Sequence, residues 1–310
     1  MTSETRTAFG RVGIWSGALH GSRTDDAGRR AIAQAVAELD DLGYGTLWIG
    51  GSPSPDDAAA LVSATSRVTV ATGILSIWDH TAEEVAASVE ALAPDARRRF
   101  VLGLGVSHGP MVPQYAKPYS AMVSYLDALD AAGPAVDSGR RVLAALGPKM
   151  LKLATDRALG AHPYLVTAQH TAEAREALGP DALLAPELSV VLDTDIERAR
   201  TTARTMLAMY LQLPNYTDNL LRLGFTRRDF EDGGSVRLLD ALFALGDAEQ
   251  VRARAREYYD AGADHIAFQV LTADGGGSGL PMCEWRALAA VFADELGAPG
   301  RPASGSVREP

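Results

Sequence analysis

Apolar positions in this chain follow the period of a helix in some stretches and fill short continuous runs in others. From Asp25 the residues Ile32, Val36 and Leu39 fall on one helical face, and Gly43 stands where a left-handed C-terminal cap is expected. That helix is preceded by Val12 to Trp15 and followed by Thr46 to Ile49, both short enough to be strands. The rhythm continues with an alanine-rich helix opened by Asp56 and Asp57, a β-branched strand over Val68 to Thr72, and a helix begun by a capping box of Thr81 and Glu84. Pro94 is expected to stop that helix. Phe100 to Val106 is apolar on both faces, as a parallel strand covered by helices must be.

Residues 107 to 140 break the rhythm with GPMVPQYAKP, one helix near Tyr119 to Ala131 and a Gly-Pro turn, and read as an insertion. The pattern resumes with strands at Val142 to Leu146, Pro163 to Thr167, Leu183 to Leu192 and His265 to Val270. Between the last two lie a second capping box, Thr194 with Glu197, a long helical stretch, and a helix from Asp247 to Tyr259. Strands alternating with helices predict an α/β fold, a (β/α)8 TIM barrel with insertions after strand 4 and between strands 7 and 8. One domain over residues 10–296 is expected, with flexible termini at 1–9 and 297–310. GLGVSHG follows the fourth strand and its glycines are spaced wrongly for a dinucleotide fingerprint.

Composition narrows the partners. The 310 residues carry a formal charge of −10, which argues against a basic surface for nucleic acid or an anionic membrane. Cys283 is the only cysteine, so neither an internal disulfide nor a cysteine zinc site can form. No apolar run approaches the roughly 20 residues that span a bilayer, and the start lacks a signal-peptide core. A cytoplasmic protein is expected.

In a barrel the chemistry sits at the carboxyl ends of the strands. The residues there include no His or carboxylate pair at metal spacing, no serine elbow and no strand-end lysine, so no metal site is expected. The rim is rich in glycine and aromatic residues, which suits a large planar cofactor that brings its own chemistry. Arg140, Arg141, Lys149, Lys152 and Arg157 against Asp156 form a local basic stretch that either holds an anionic cofactor tail or solvates a barrel helix. Glu187, beside Pro186, reads as a buried carboxylate with a structural hydrogen bond.

The segments GRVGIWSGAL, ELDDLGYGTLWIG, TSRVTVATGI, RRFVLGLGVSHGP, LAALGPKMLKLATDRALGAHPYLV and AGADHIAFQVL together resemble the bacterial luciferase-like superfamily. More narrowly, they resemble its actinobacterial class of deazaflavin (coenzyme F420) dependent oxidoreductases. The resemblance implies a flavin or deazaflavin at the barrel mouth, a non-prolyl cis peptide at Gly73–Ile74, and a homodimer. It places Val106, Ser107 and His108 near the ring and Leu146, Gly147 and Pro148 near the ribityl chain and phosphate. Trp48, Lys149, Gly160 and His162 complete the expected cofactor-binding set, with His162 at the start of the sixth strand. Relatives often carry an acid or histidine after the second strand, where this chain has Gly50, Gly51 and Ser52. His108 is therefore the expected catalytic acid or base, and Trp15, Trp78 and Tyr115 are expected to wall the substrate pocket. The leading expectation is an F420-dependent oxidoreductase moving a hydride to or from a small organic substrate. The alternatives are an FMN-dependent monooxygenase and a non-catalytic flavin or deazaflavin binder.

Overall fold

A computed structural model describes residues 8–273 and 279–296. The strands are β1 (Val12–Ser16), β2 (Thr46–Ile49), β3 (Thr69–Thr72), β4 (Leu75–Ser76), β5 (Phe100–Gly105), β6 (Arg141–Leu143), β7 (Gly160–Ala161), β8 (Leu183–Leu184), β9 (Glu187–Leu192), β10 (Phe243–Gly246) and β11 (Ile266–Val270). All pair in parallel, in the order β10-β9-β11-β1-β2-β3-β5-β6-β7-β8, with β4 beside β5. Strands β8 and β9 are separated only by Ala185 and Pro186, and proline has no N–H to give to a ladder. Hydrogen bonds from Ala185 N to Ala161 O, Glu187 N to Pro163 O and Ala267 N to Pro186 O carry the pairing across this gap. The parallel sheet thus curls into a TIM-barrel-like α/β fold.

Helices α1 (Asp26–Asp41), α2 (Pro55–Ser63), α3 (Ala82–Ala91), α4 (Pro94–Arg99), α5 (Pro118–Ala131), α6 (Pro148–Arg157) and α7 (Ala168–Leu178) alternate with the strands. Asp25 caps α1, which buries Ile32, Val36 and Leu39, and Gly43 has the left-handed φ of 94° foreseen for it. The Thr81–Glu84 box opens α3 as expected. Pro94 does more than stop a helix: it starts α4, because the first helical position needs no N–H. The helix after strand β5, α5, buries Met122, Leu126 and Leu129 completely, so it is an ordinary crossover to β6 rather than part of an insertion.

Several boundaries move. Pairing in the sixth strand falls at Gly160–Ala161 instead of Pro163 to Thr167, because Pro163 cannot donate and Leu165 turns to a φ of 53°. The box expected of Thr194 and Glu197 does not form; Asp195 accepts from Arg198 N and caps α8 (Ile196–Tyr210). With α9 (Pro214–Arg222), α10 (Val236–Leu242) and the unforeseen strand β10, α8 builds a hydrophobic cluster of its own against Val191 and Leu165. Helix α11 (Ala248–Asp260) is followed by α12 (Met282–Val291), whose Trp285 is fully buried.

Phe9, assigned by sequence to the flexible N-terminus, is buried. It packs with Trp48, Ala71, Val101, Val142, Leu183 and Ala267, residues contributed by strands or strand extensions from several sides of the sheet. The rest of both expected flexible termini, 1–7 and 297–310, lies outside the described residues. No helix among the described residues is long and apolar enough to cross a membrane.

Candidate active site

Side chains alternate across a strand, so the interior positions that begin at Trp48, Ala71, Val101, Val142 and Ala267 continue toward the carboxyl ends as Gly50, Gly73, Gly105, Ala144 and Gln269. One side of the mouth is therefore small and the other large. Trp15 crosses from the large side to the small one. Its Nε1 donates to Gly73 O at 2.7 Å, and a Cβ would lie 2.5 Å from its ring at Gly50 and 2.7 Å from its Nε1 at Gly73. These two glycines make room for the indole.

Gly73 and Ile74 are joined by the cis peptide bond that the resemblance implied. Ile74, Val106, Ser107 and His108 are half-buried beside each other at the ends of β3 and β5. Trp78 Nε1 donates to Val106 O at 2.6 Å, and Tyr115 packs on the Trp78 ring at 5.9 Å, so the structure brings these two residues together beside Val106. Ser52, Ser107 and Leu165, each just beyond a barrel strand, have φ values of 60°, 54° and 53°. Left-handed backbone is unfavourable for such residues and tends to collect at functional sites.

His108 lies against Tyr216, with ring centroids 5.4 Å apart, and hydrogen-bonds the side chain of Asn215. Its Nδ1 is buried without a partner. Burial, only partly opposed by Asn215, holds the imidazole below its ordinary pKa, so at neutral pH it is uncharged and can accept a proton.

Leu146, half-buried, receives His170 Nε2 on its carbonyl at 2.9 Å, while Gly147, Pro148 and Lys149 are exposed at the start of α6. A Cβ at Gly147 would meet nothing within 4 Å. The remainder of the basic stretch is elsewhere. Arg140 and Arg141 stand at the amino end of β6 and Arg157 at the far end of α6, opposite the mouth. Arg141 is fully buried on Asp130, Arg157 pairs with Asp127 and Asp130, and Lys152 with Asp156. Strand and helix run antiparallel, so five basic residues close in sequence are divided between two ends of the molecule.

Trp48, Gly160 and His162 are also placed away from the mouth. The Trp48 and His162 rings stack at 4.1 Å and 8°, both essentially unexposed. Trp48 Nε1 donates to His265 Nε2 at 3.1 Å, and His162 Nδ1 bonds Ala185 O at 2.7 Å. Burial pushes both histidines down to about 4. Gly160 is pressed against the backbone of Leu183 inside the ladder. These three are packing residues, and His162 comes at the exit of its strand, not at the start.

Tyr164 and Gln269 stand at strand ends, where the sequence places chemistry; Tyr210 and Tyr216, which join them on the large side, were left out by sequence reasoning. Tyr210 Oη donates to Tyr164 Oη at 3.1 Å, and Tyr164 Oη donates to Gln269 Oε1 at 2.6 Å. Trp15, Tyr210 and Tyr216 pack around Tyr164 with centroids 5.4, 5.4 and 6.4 Å away. Glu187 accepts from Ser189 Oγ at 2.6 Å and Leu165 N at 3.1 Å, the structural role expected of it, and burial lifts its pKa to about 7. Gln269 had a detectable signal, a polar residue within the apolar run of the last strand. Tyr210 and Tyr216 had none, since only the turn between α8 and α9 brings them together. Among the described residues no group of three or more His, Cys, Asp or Glu could hold a metal ion.

Comparison with known proteins gives this architecture a context. Residues 133–265 match the luciferase-like monooxygenase family model. No curated protein sequence matches the chain. An F420-dependent secondary alcohol dehydrogenase, solved with an F420-acetone adduct, is 12% identical, covers 93% of this chain and 98% of its own, and has a TM-score of 0.68. The coenzyme F420-dependent tetrahydromethanopterin reductase of Methanopyrus kandleri is 14% identical, with 93% and 98% covered and a TM-score of 0.67. The FMN complex of the oxygenating constituent of 3,6-diketocamphane monooxygenase from Pseudomonas putida is 12% identical, with 93% and 97% covered and a TM-score of 0.66. At such identities these likenesses are likenesses of fold. The family model is matched by residues 133–265, and the whole chain shares the TIM-barrel-like fold of these neighbours.

Proposed function

We propose that this protein is an oxidoreductase that binds a deazaflavin, coenzyme F420, at the carboxyl ends of its strands. The observation that carries this reading is the half-buried apolar mouth, where Trp15, Ile74, Trp78, Val106 and Leu146 remain partly exposed. Such walls fit a flat ring system. The open space at Gly147, the first turn of α6 and Lys149 beside it fit a phosphate, because unpaired N–H groups and the helix dipole favour an anion there. When bound, the deazaflavin supplies or accepts a hydride at C5 of its ring. Trp15 and Ile74 would hold the ring and Leu146 to Lys149 the tail, and His108, neutral and half-buried, would take the proton released when the substrate gives up a hydride and, once protonated, return it when the substrate gains one.

The second reading is an FMN-dependent monooxygenase on the same residues, favoured by the family matched and by the FMN-containing neighbour. Titration of the purified chain with F420 and with FMN, followed by fluorescence, separates the two. Saturable F420 binding with hydride exchange between F420 and an alcohol or ketone supports the first. Tight FMN binding with oxygen consumption and no F420 affinity overturns it. Binding without turnover of either kind leaves the non-catalytic alternative.

A further inference from the structure

The polar groups on the large side of the mouth are arranged around Gln269. Tyr210 donates its proton to Tyr164, so Tyr164 must donate its own to Gln269 Oε1. The amide oxygen is thereby occupied and the amide's orientation fixed. Its Nε2 is turned away from Tyr164 and has no acceptor among the described residues, and the side chain is half-exposed. An N–H donor held this way, on a strand end and by a bond to a second anchored residue, is organised before any ligand arrives.

We propose that Gln269 Nε2 binds an uncharged oxygen acceptor of the substrate, a ketone, aldehyde or ester carbonyl, with Tyr164 and Tyr210 as positioning residues. The amide's donors select an acceptor and reject a cation. An ionised acceptor is disfavoured because the side chains packed around Tyr164 are Trp15, Tyr210 and Tyr216, and among the described residues no lysine or arginine is paired with this group to offset its desolvation. Glu187, one layer below on the neighbouring strand, has both oxygens engaged by Ser189 and Leu165, and negative charge on it further disfavours an anion beside the tyrosines. Gln269 lies across the tyrosines from His108, so the amide orients the substrate and does not transfer its proton.

This deepens the oxidoreductase reading and rests on it for the word substrate, but the contact can be tested without a cofactor. The probe is cyclohexanone, with cyclohexanecarboxylate as its charged counterpart, titrated into the full chain by saturation-transfer NMR. Wild type is expected to bind the ketone more tightly than the carboxylate, and Gln269→Leu to weaken ketone binding by about five- to tenfold, the loss of one hydrogen bond. In infrared difference spectra of carbonyl-labelled cyclohexanone the bound C=O band is expected at lower frequency than in a hydrocarbon solvent. Gln269→Leu abolishes that displacement; Tyr164→Phe broadens the band, because the amide is free to turn. Circular dichroism confirms that the variants are folded, and Gln269→Glu, similar in size, serves if the leucine variant is not. Equal ketone affinity in wild type and variant, an unmoved carbonyl band, or no ketone binding by wild type overturns the proposal. Failure of F420 and FMN to bind any of these proteins overturns the flavin reading instead and leaves a Gln269-dependent carbonyl shift standing.

Discussion

His108 illustrates how burial chooses a chemical role. Half-buried against Tyr216, it is kept neutral, the form that the proposed function requires of a base. His108→Ala is expected to lower turnover by about a hundredfold, the low end for losing a general base, while cofactor affinity changes little; unchanged turnover removes it from the mechanism. Wild-type activity should fall on the acid side, as the ring protonates. Glu187 and His162 act on stability. Glu187 titrates near 7 when folded against an ordinary 4.5, so the folded state holds the extra proton between these values and stability declines as pH rises through them. At about 1.4 kcal/mol per pH unit, the full cost above pH 7 is about 3 kcal/mol. Urea unfolding of Glu187→Gln should show that gain at pH 8 and almost none at pH 4. His162 has the opposite sign: held near 4 against 6.5, it loses stability as pH falls through that window, and His162→Phe should flatten the acid side of the curve. That Glu187 is structural was legible from its place beside Pro186. That Trp48 and His162 stack across the interior was not, because ring contacts between β2 and the end of β7 have no trace in local sequence.

Among the elements, α6 carries the clearest functional consequence. Its first turn faces the mouth and its last turn faces away, so Lys149 and Arg157 answer to different ends of the molecule. Lys149→Glu is expected to weaken binding of phosphate-bearing FMN or F420 by about tenfold at low salt, less at high salt, and to leave riboflavin binding unchanged. Arg157→Ala should leave all of these affinities alone and lower stability instead through its pairs with Asp127 and Asp130, by about 1 kcal/mol or less since these pairs are partly exposed. Equal losses for both variants in a fluorescence titration would contradict the assignment of the phosphate to this turn. Element types were readable because alternation, capping boxes and proline act locally: Thr81 with Glu84, Gly43 and the fully apolar β5 all stand as the sequence predicts. The two readings of the basic stretch stayed open in the sequence because proximity along the chain says nothing about direction, and the β6–α6 reversal sends its members to opposite ends. The sixth strand was misplaced because Pro163 and Leu165 look like strand residues in composition while their backbone cannot continue the ladder.

For the whole molecule, a parallel sheet that curls round through β8 and β9 gathers distant residues at one rim. Trp15, Gly73, His108, Leu146 and Tyr164, spread over half the chain, meet there only through that topology. Alternating strands and helices made the architecture legible; the tyrosine side of the mouth was hidden because α8 and α9, with a cluster of their own, deliver Tyr210 and Tyr216 from outside the repeating pattern. The central claim is that this rim holds a flavin-type ring. A crystal structure of the chain grown with F420 tests it most directly: the account predicts the ring in the mouth beside Trp15, Ile74, Val106 and Leu146 with its phosphate at the start of α6, and a ring bound anywhere else on the protein would contradict it.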